Sequence, residues 1–216
     1  MLNSLDLSYL PKLPIEKSAK ILDFGCGRGE IVQYLISHGY QNVVGIDIRR
    51  AENEITASDV KSKIQIVPDS LDYLKKHAGE FDCIIAKDVL YYFDRKDVVQ
   101  VCHLMALALK PGGRLLVEVV NGAIASAVFT SIKDIGILNM FTESSIEQAL
   151  TECGLSDVEV YAKPRVLRGI KSLIFFAIQS LWFALLRLVY FLERGRDPRN
   201  PRIMSKSLVA TGIKRK

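Results

Sequence analysis

Short apolar runs alternate with amphipathic stretches along most of the chain. The runs predict strands because they are brief, rich in Val, Ile and Leu, and bounded by turn residues. We predict strands at Ile21–Phe24, Val43–Ile46, Ile64–Val67, Cys83–Ala86, Arg114–Val120 and Val158–Ala162, with a seventh at Leu208–Ile213. Strands that alternate with helices predict a parallel sheet with helices on both faces, so the fold class is α/β.

Helices are predicted between the strands from apolar spacing and cap residues. One spans Glu30–Ser37, and another spans Val98–Leu109 and is stopped by a Lys-Pro-Gly-Gly turn. After the fifth strand, Thr142 is expected to cap a helix that runs to Cys153, where Gly154 ends it.

The connection between the last two predicted strands is unusually long for neighbours in one sheet. It contains Leu173–Leu192, a run of 20 residues of which 17 are apolar. We therefore divide a single domain, residues 1–216, into a body (1–164), a basic apolar helical insertion (165–205) and a last strand (206–216).

Charge is distributed unevenly between these parts. The chain has 29 Lys and Arg against 24 Asp and Glu, a formal net charge of +5. Residues 1–164 hold 17 basic and 22 acidic side chains, or −5, whereas residues 165–216 hold 12 and 2, or +10. With 49% apolar residues the composition is globular, and the basic end suggests an anionic surface as partner.

The N-terminus and the cysteines point to the cytoplasm. The first residues lack the basic and apolar regions of a secretory signal. The four cysteines are far apart and predict buried, reduced thiols: Cys26, Cys83, Cys102 and Cys153. No group of His and carboxylates has metal-ligand spacing, so we predict no metal site.

The strongest chemical signal is residues 21–30, Ile-Leu-Asp-Phe-Gly-Cys-Gly-Arg-Gly-Glu, a strand that runs into a glycine loop and opens a helix. Small residues let a ligand approach the backbone there, and the helix start offers free N–H groups. A dinucleotide fingerprint needs a glycine where Glu30 stands, and no Gly-Lys-Ser/Thr of a P-loop follows. Asp23 would repel a pyrophosphate, so a cationic ligand is favoured.

Two further carboxylates follow neighbouring strands. Asp47 ends the second strand, where an acidic side chain can accept both hydroxyls of a ribose. Asp69 lies just past the third strand and can accept a hydrogen bond from an exocyclic amine, so adenine fits there. The pattern predicts a nucleoside ligand that carries positive charge.

These residues resemble class I S-adenosylmethionine-dependent methyltransferases. The resemblance covers residues 20–162 and includes the glycine loop, Asp47, Asp69-Ser70, and segments 81–90 and 109–116 in the expected order. It implies S-adenosyl-L-methionine as cofactor and a Rossmann-like sheet of seven mostly parallel strands in the order 3-2-1-4-5-7-6, with the helical insertion between the last two.

The resemblance also implies roles for single residues at the methionine end of the cofactor. The backbone of Gly25, Cys26 and Gly27 would contact the methionine part, and Asp23 would support its ammonium group. The main chain at Lys87 or the residue before it would line the same end, with the Lys87 side chain in solvent.

At the nucleoside end, the resemblance implies that Asp47 binds the ribose diol and that Ile48 packs on the adenine. Asp69 and Ser70 would read the adenine edge.

Catalysis of methyl transfer depends on alignment, and a sugar hydroxyl acceptor also needs a base. We expect Asp88 or Glu118 to be that base, with Tyr91 beside it, because they follow the fourth strand or lie in the fifth. A helix cap for Asp88 and a partly buried, hydrogen-bonded carboxylate for Glu118 are the alternatives. Many relatives have a His where Tyr91-Tyr92 stands, which argues against a His mechanism.

Two features limit the class of methyl acceptor: a missing motif and a second, weaker resemblance. Ala86-Lys-Asp-Val-Leu90 stands where a nucleobase methyltransferase has an Asn/Asp-Pro-Pro-Tyr-like motif, so we expect no nucleic acid partner. Residues 161–216 resemble methyltransferases associated with bacterial surface-polysaccharide synthesis, which implies the sugar hydroxyl of a glycan or lipid-linked glycan. The alternatives are a small apolar or lipid acceptor such as a quinone precursor, and a non-catalytic cofactor-binding protein that recruits a glycosyltransferase.

The apolar insertion predicts a helix at a membrane surface. On a helical wheel six polar residues share one sector of about 100°: Arg165, Arg168, Ser172, Gln179, Arg187 and Arg194. This favours a helix in the plane of an anionic membrane, peripheral on its cytoplasmic face. Phe176, Phe183 and Tyr190 fall in the same sector, so packing on a dimer mate or other partner stays open, as does spanning.

Overall fold

The computed structural model describes residues 12–49, 58–163 and 169–215. Within these ranges the strands are β1 Lys20–Phe24, β2 Asn42–Asp47, β3 Ile64–Ile66, β4 Phe81–Lys87, β5 Leu109–Val120, β6 Leu155–Ala162 and β7 Ser207–Lys214. The helices are α1 Glu30–Ser37, α2 Ser58–Lys61, α3 Ser70–Lys76, α4 Val98–Ala108, α5 Ala127–Ile132, α6 Glu143–Glu152 and α7 Gly169–Arg194. A short 3-10 helix spans Leu90–Tyr92.

The strands form one sheet in the order β3-β2-β1-β4-β5-β7-β6, which confirms the predicted order. The first five strands along the chain run parallel, and β7 is antiparallel to both β5 and β6. In β1, Leu22 pairs with Val44 on one side and with Ile84 on the other. The carboxyl ends of β1, β2 and β4 therefore lie at the same edge of the sheet.

Helices cover both faces because successive strand residues point in opposite directions. Leu22 and Phe24 pack in the core cluster that includes Met105 of α4 and Ile146 of α6. Ile21 points to the opposite face of the sheet and packs in the other cluster, to which α1 and α2 also contribute. All four cysteines are free and buried.

Two strands are longer than the sequence predicts because each contains a bulge. In β5 the Lys-Pro-Gly-Gly segment lies inside the strand, and the register shifts between the Phe81–Leu109 and Cys83–Arg114 pairs. A Cβ atom on Gly113 would lie 2.9 Å from a backbone oxygen, so only glycine fits there. In β6 the register shifts beside Asp157, whose φ is +50°. A bulge resets pairing without ending the strand.

The predicted insertion helix is longer than expected and lies on the outside of the body. It begins at Gly169 and ends at Arg194, whereas Arg165 and Arg168 lie outside the described residues. No residue of α7 is buried. By length and composition alone it is apolar enough to cross a membrane, with a mean hydropathy of 1.9 in its most apolar window, which is weak evidence by itself.

We expect the cap of α6 to contribute measurably to stability. The Thr142 hydroxyl accepts a hydrogen bond from the Ser145 N–H at 3.3 Å, and the Ser145 hydroxyl accepts one from the Thr142 N–H at 2.9 Å. Thr142→Ala should lower the free energy of unfolding by about 1 kcal/mol in urea titrations. Thr151→Ala in the last turn of the same helix should change it by less than about 0.5 kcal/mol. Equal losses in both variants would contradict the capping role.

Candidate active site

The loop after β1 is built from glycines that adopt left-handed conformations. Gly25, Gly27 and Gly29 have φ of +77°, +50° and +75°. The N–H groups of Gly25 and Cys26 both donate to the carbonyl of Ile46 at 2.9 Å, which ties the loop to the end of β2. A Cβ atom on Gly25 would lie 2.6 Å from Val89, so this loop approaches the turn after β4 as closely as glycine permits.

Asp23 presents an unpaired carboxylate oxygen beneath this loop. It is buried, and its Oδ2 atom has no hydrogen-bond partner among the described residues. Burial raises the pKa of Asp23 to about 7; the charge of Lys87 opposes this rise, and those of Asp47 and Glu30 add to it. A buried carboxylate of this kind is suited to a cationic ligand group that enters from the cavity.

The predicted methionine-end residues surround one cavity of about 590 Å³. Its lining includes Asp23, Gly25, Cys26, Gly27, Asp47 and Lys87. Arg28 and Glu30, to which the sequence assigned no ligand contact, also line it, as does Tyr91, which is predicted at the reaction centre. The structure thus brings six of the nine predicted cofactor residues together.

A smaller cavity of about 180 Å³ adjoins the first and shares Gly25, Asp47 and Asp88 with it. Ile48 and Ser70, which the resemblance assigns to the adenine, line it, and Ile48 is largely exposed. The Asp47 carboxylate is held at the boundary by N–H groups, from Gly27 at 2.8 Å and Arg49 at 2.9 Å.

Asp69 is not among the residues that line these two cavities, although its neighbour Ser70 is. Its Oδ1 atom caps α3 by accepting from the N–H groups of Leu71 at 2.8 Å and Asp72 at 3.1 Å. Capping satisfies two backbone donors that would otherwise lack partners. A contact of Asp69 with an adenine amine therefore stays a prediction, and Ser70 is the nearer candidate.

The turn after β4 carries the reaction-centre candidates. Asp88 adopts φ of +54°, which is uncommon outside glycine, and its N–H donates to the carbonyl of Glu118 at 2.9 Å. Its carboxylate contacts the Lys87 ammonium, so the expected solvent position of the Lys87 side chain is wrong. Burial lowers the pKa of Lys87, but the contact with Asp88 and the charge of Glu118 outweigh it and hold the pKa above its ordinary value.

A third cavity, of about 450 Å³, opens beyond this turn, and we call it the acceptor cavity. Asp88, Tyr91 and Glu118 line it together. Glu118 is only 2% exposed and pairs with Lys163 at 2.9 Å, which matches the buried, hydrogen-bonded alternative for this residue. Burial raises the pKa of the Tyr91 hydroxyl, so it stays protonated in the neutral range.

Apart from Lys87 and Val120, which neighbour the predicted residues, the rest of the acceptor cavity comes from distant parts of the chain that carry no motif. These residues are Thr130, Lys133, Asp134, Ile137, Lys163, Gln179, Ser205, Lys206 and Ser207. In the described ranges no three His, Cys, Asp or Glu side chains are grouped as metal ligands.

Comparison with protein families gives a match over most of the chain. Residues 4–160 match the family described as "Methyltransferase domain". The chain belongs to this methyltransferase family. That membership supports an enzyme over a non-catalytic cofactor-binding protein.

Curated relatives of this methyltransferase include ubiquinone biosynthesis O-methyltransferases from two bacteria. The protein of Coxiella burnetii is 24% identical over 153 residues, which cover 69% of this chain and 64% of the relative. The protein of Xylella fastidiosa is 31% identical over 134 residues, or 58% of this chain and 51% of the relative. The methyltransferase thus spans about half to two-thirds of the length of these relatives.

Solved structures show the same fold. A SAM-dependent methyltransferase from Archaeoglobus fulgidus superposes with a TM-score of 0.68 at 16% identity and covers 99% of this chain and 95% of its own. Phosphoethanolamine N-methyltransferase 2 of Haemonchus contortus, solved with S-adenosyl-L-methionine, gives 0.62 at 17% identity, with 97% and 52% covered.

The cofactor is S-adenosyl-L-methionine, and the residues present fit it. When bound, it supplies an activated methyl group and carries an ammonium group at its methionine end. Asp23 would hold this ammonium, because its buried Oδ2 lacks a partner among the described residues. The N–H groups and small side chains of the glycine loop would lie against the methionine part, and Asp47 would bind the ribose hydroxyls.

We expect cofactor affinity to depend on pH through Asp23. The carboxyl has a pKa of about 7 in the free protein, and an ammonium binds only its ionised form. Affinity should therefore rise by roughly tenfold per pH unit up to about pH 7 and then level off. Calorimetry at pH 5.5 to 7.5 tests this range, in which the α-amino group of the ligand keeps its proton because its pKa is about 7.7–8.0.

Asp23→Asn should bind the cofactor roughly 10- to 150-fold more weakly at pH 7.5, because a charged hydrogen bond is worth about 1.5–3 kcal/mol. The variant should also show a flat pH dependence. Asp72→Asn, on the outer surface of α3, serves as the matched control and should retain the wild-type profile. An unchanged pH slope in Asp23→Asn would assign the titration to another group.

Proposed function

We propose that the protein is an O-methyltransferase that methylates a hydroxyl group held beside Asp88. The observation that carries the proposal is that Asp88 lines all three cavities: the two that the cofactor residues surround and the acceptor cavity. A group at this junction can contact a hydroxyl that faces the cofactor from the acceptor side. Alignment of this hydroxyl supplies much of the rate of methyl transfer.

Asp88 is a better candidate base than Glu118. The Asp88 side chain is about one-third exposed to the cavities, whereas Glu118 is buried and paired with Lys163. The unusual φ of Asp88 is held in place by the hydrogen bond to Glu118, and backbone conformations of this kind concentrate at functional sites. In this assignment Asp88 accepts the proton of the acceptor hydroxyl, and Glu118 positions the lysines around it.

The acceptor class that we favour is a phenolic hydroxyl on an apolar or lipid molecule, as in a quinone precursor. The O-methyltransferases of ubiquinone biosynthesis described above support this class by their similarity. Chemistry supports it as well, because a phenol has a pKa of about 10 and loses its proton more readily than an alcohol, so one carboxylate is a sufficient base. The apolar helix α7 reaches the acceptor cavity through Gln179 and provides an apolar surface for the lipid portion of such an acceptor.

A sugar hydroxyl of a lipid-linked glycan is the second candidate, and the lining of the acceptor cavity favours it. Lys87, Lys133, Lys163 and Lys206 face this cavity together with several hydroxyl side chains. Such a lining suits a polyhydroxylated or phosphate-bearing acceptor. None of the relatives described above carries a polysaccharide acceptor in its name, so this candidate rests on the cavity alone.

An assay with methyl-labelled cofactor separates the two acceptors. The full chain is incubated with a bacterial lipid extract or with isolated polysaccharide intermediates, and mass spectrometry identifies the methylated atom. We expect label in the lipid extract, on an oxygen bound to an aromatic ring. Label only in the glycan fraction would make the second candidate correct, and a methyl group on nitrogen or carbon would reject O-methylation.

Asp88→Asn should lower kcat by about 10²- to 10⁴-fold, because the variant cannot accept the acceptor proton. The loss should shrink with acceptors whose phenol is more acidic, since these need less help from a base. Asp94→Asn, in the exposed stretch before α4, is the control and should leave kcat unchanged within about twofold. Full activity of Asp88→Asn together with an inactive Glu118→Gln would move the base to Glu118.

A further inference from the structure

The side of α7 that faces the protein carries most of its polar residues, together with Phe176 and Phe183, whereas the outward side is apolar. Gln179 lines the acceptor cavity, and the Tyr190 hydroxyl donates to the carbonyl of Ala123 at 2.9 Å. The Arg187 guanidinium donates to the carbonyl of Arg202 at 2.9 Å. A surface helix of a soluble protein normally has the opposite orientation, with its apolar side on the core.

The outward side of α7 is a long apolar surface. Its exposed side chains are Ile170, Leu173, Ile174, Phe175, Ile178, Leu181, Trp182, Leu185, Leu188, Val189, Phe191 and Leu192. The helix has 26 residues and is therefore about 39 Å long. Soluble monomers rarely expose an apolar surface of this extent, and such surfaces usually mark a binding site.

A second apolar surface lies on another element that lines the acceptor cavity. Residues of α5 and the loop after it expose Val128, Phe129, Ile132, Ile135 and Leu138, and Ile135 is fully exposed. The same segment, 127–138, contributes Thr130, Lys133, Asp134 and Ile137 to the lining of the acceptor cavity, which Gln179 of α7 also lines. The two elements that carry these apolar surfaces thus both line the acceptor cavity.

The charge around these surfaces selects the partner. Residues 169–206, which include α7 and end at the start of β7, hold seven Lys and Arg but only Glu193 and Asp197 as acidic residues. Asp197 pairs with Arg194 and Arg199, so it cancels part of the positive charge. A second copy of the chain would bring a surface of the same positive charge, whereas anionic lipid attracts each nearby basic residue by about 1 kcal/mol.

We propose that α7 and segment 127–138 dock the protein in the plane of an anionic lipid bilayer. An in-plane helix fits the connections of α7 better than a spanning one. Its flanking strands β6 and β7 pair with each other through Ala162 and Leu208, so both ends of the insertion return to the same edge of the sheet. The hydrogen bonds of Arg187 and Tyr190 hold the second half of the helix against the body.

Docking of this kind places the acceptor cavity next to the bilayer. Lys133 and Lys206 line the cavity and, among the described residues, form no ion pair, so they can face lipid headgroups or an anionic acceptor. Delivery of a lipid acceptor from the membrane rests on the proposed function, whereas docking itself does not.

Flotation of the full chain with vesicles tests the docking. Vesicles of phosphatidylcholine and phosphatidylglycerol in equal parts are compared with vesicles of phosphatidylcholine alone, at low and high salt. We expect binding to the anionic vesicles, weaker on neutral ones and weaker at high salt because basic residues contribute. Absence of binding to anionic vesicles would overturn the proposal.

A triple variant separates the apolar contribution from the charge. Phe175→Gln, Ile178→Gln and Leu181→Gln together change only exposed side chains of α7 and should weaken binding to anionic vesicles at least about tenfold. Ile15→Gln removes a side chain that is 90% exposed outside this surface and should bind as the wild type does. Vesicle binding unchanged in the triple variant would reject α7 as the docking element.

Two measurements distinguish this failure from failure of the proposed function. Calorimetry with S-adenosylmethionine should give the same affinity for the triple variant and the wild type, because the substitutions lie away from the cofactor cavities. Sedimentation without vesicles should show the same oligomeric state for the wild type and the triple variant. A dimer that the triple substitution converts to monomers would assign the surface to a second copy and overturn the lipid proposal.

Discussion

The position of β1 between β2 and β4 is the constraint on which the site depends. The chain leaves β1 toward β2 on one side and later returns to β4 on the other, so the turns after β1 and β4 face each other over a crevice. Their approach is close enough that a Cβ atom on Gly25 would meet Val89. Because each turn follows a strand paired on both sides, Asp23 and Asp88 are fixed by the sheet itself, before any ligand is present.

Most of the fold could be predicted because each buried strand carries a compact apolar run, and strict strand–helix alternation leaves few topologies. The differences lie at bulges. Gly112 and Gly113 have the composition of a turn, yet β5 continues through them, since the glycines allow the local change of register beside Phe81. Asp157 has the same effect in β6. A local sequence pattern does not distinguish a turn that ends a strand from a bulge within it.

The candidate site could be predicted in the parts that follow strand ends. Asp23, the glycine loop and Asp47 were identifiable because parallel strands bring their carboxyl ends to one edge. The partners of the side chains could not be predicted. Asp69 caps α3 and Lys87 contacts Asp88, and contacts of this kind with near neighbours are open to any polar side chain. The acceptor cavity could not be predicted either, because Lys133, Lys163 and Lys206 meet only through the packing of three separate segments.

Helix α7 shows that amphipathic spacing alone does not determine which side of a helix faces the protein. The wheel sector with Gln179 and Arg187 faces the protein: the guanidinium donates to a backbone carbonyl there, and the amide lines the acceptor cavity. The inward polar groups can contact an acceptor. The outward apolar groups suit lipid and protein partners alike, so the charge around them distinguishes between the two. Residues 1–164 carry −5 and residues 165–216 carry +10, so an anionic surface attracts the part of the chain that contains α7 more strongly than the body. The same unequal charge that holds a cationic cofactor in the body thus gives the molecule one preferred orientation on such a surface.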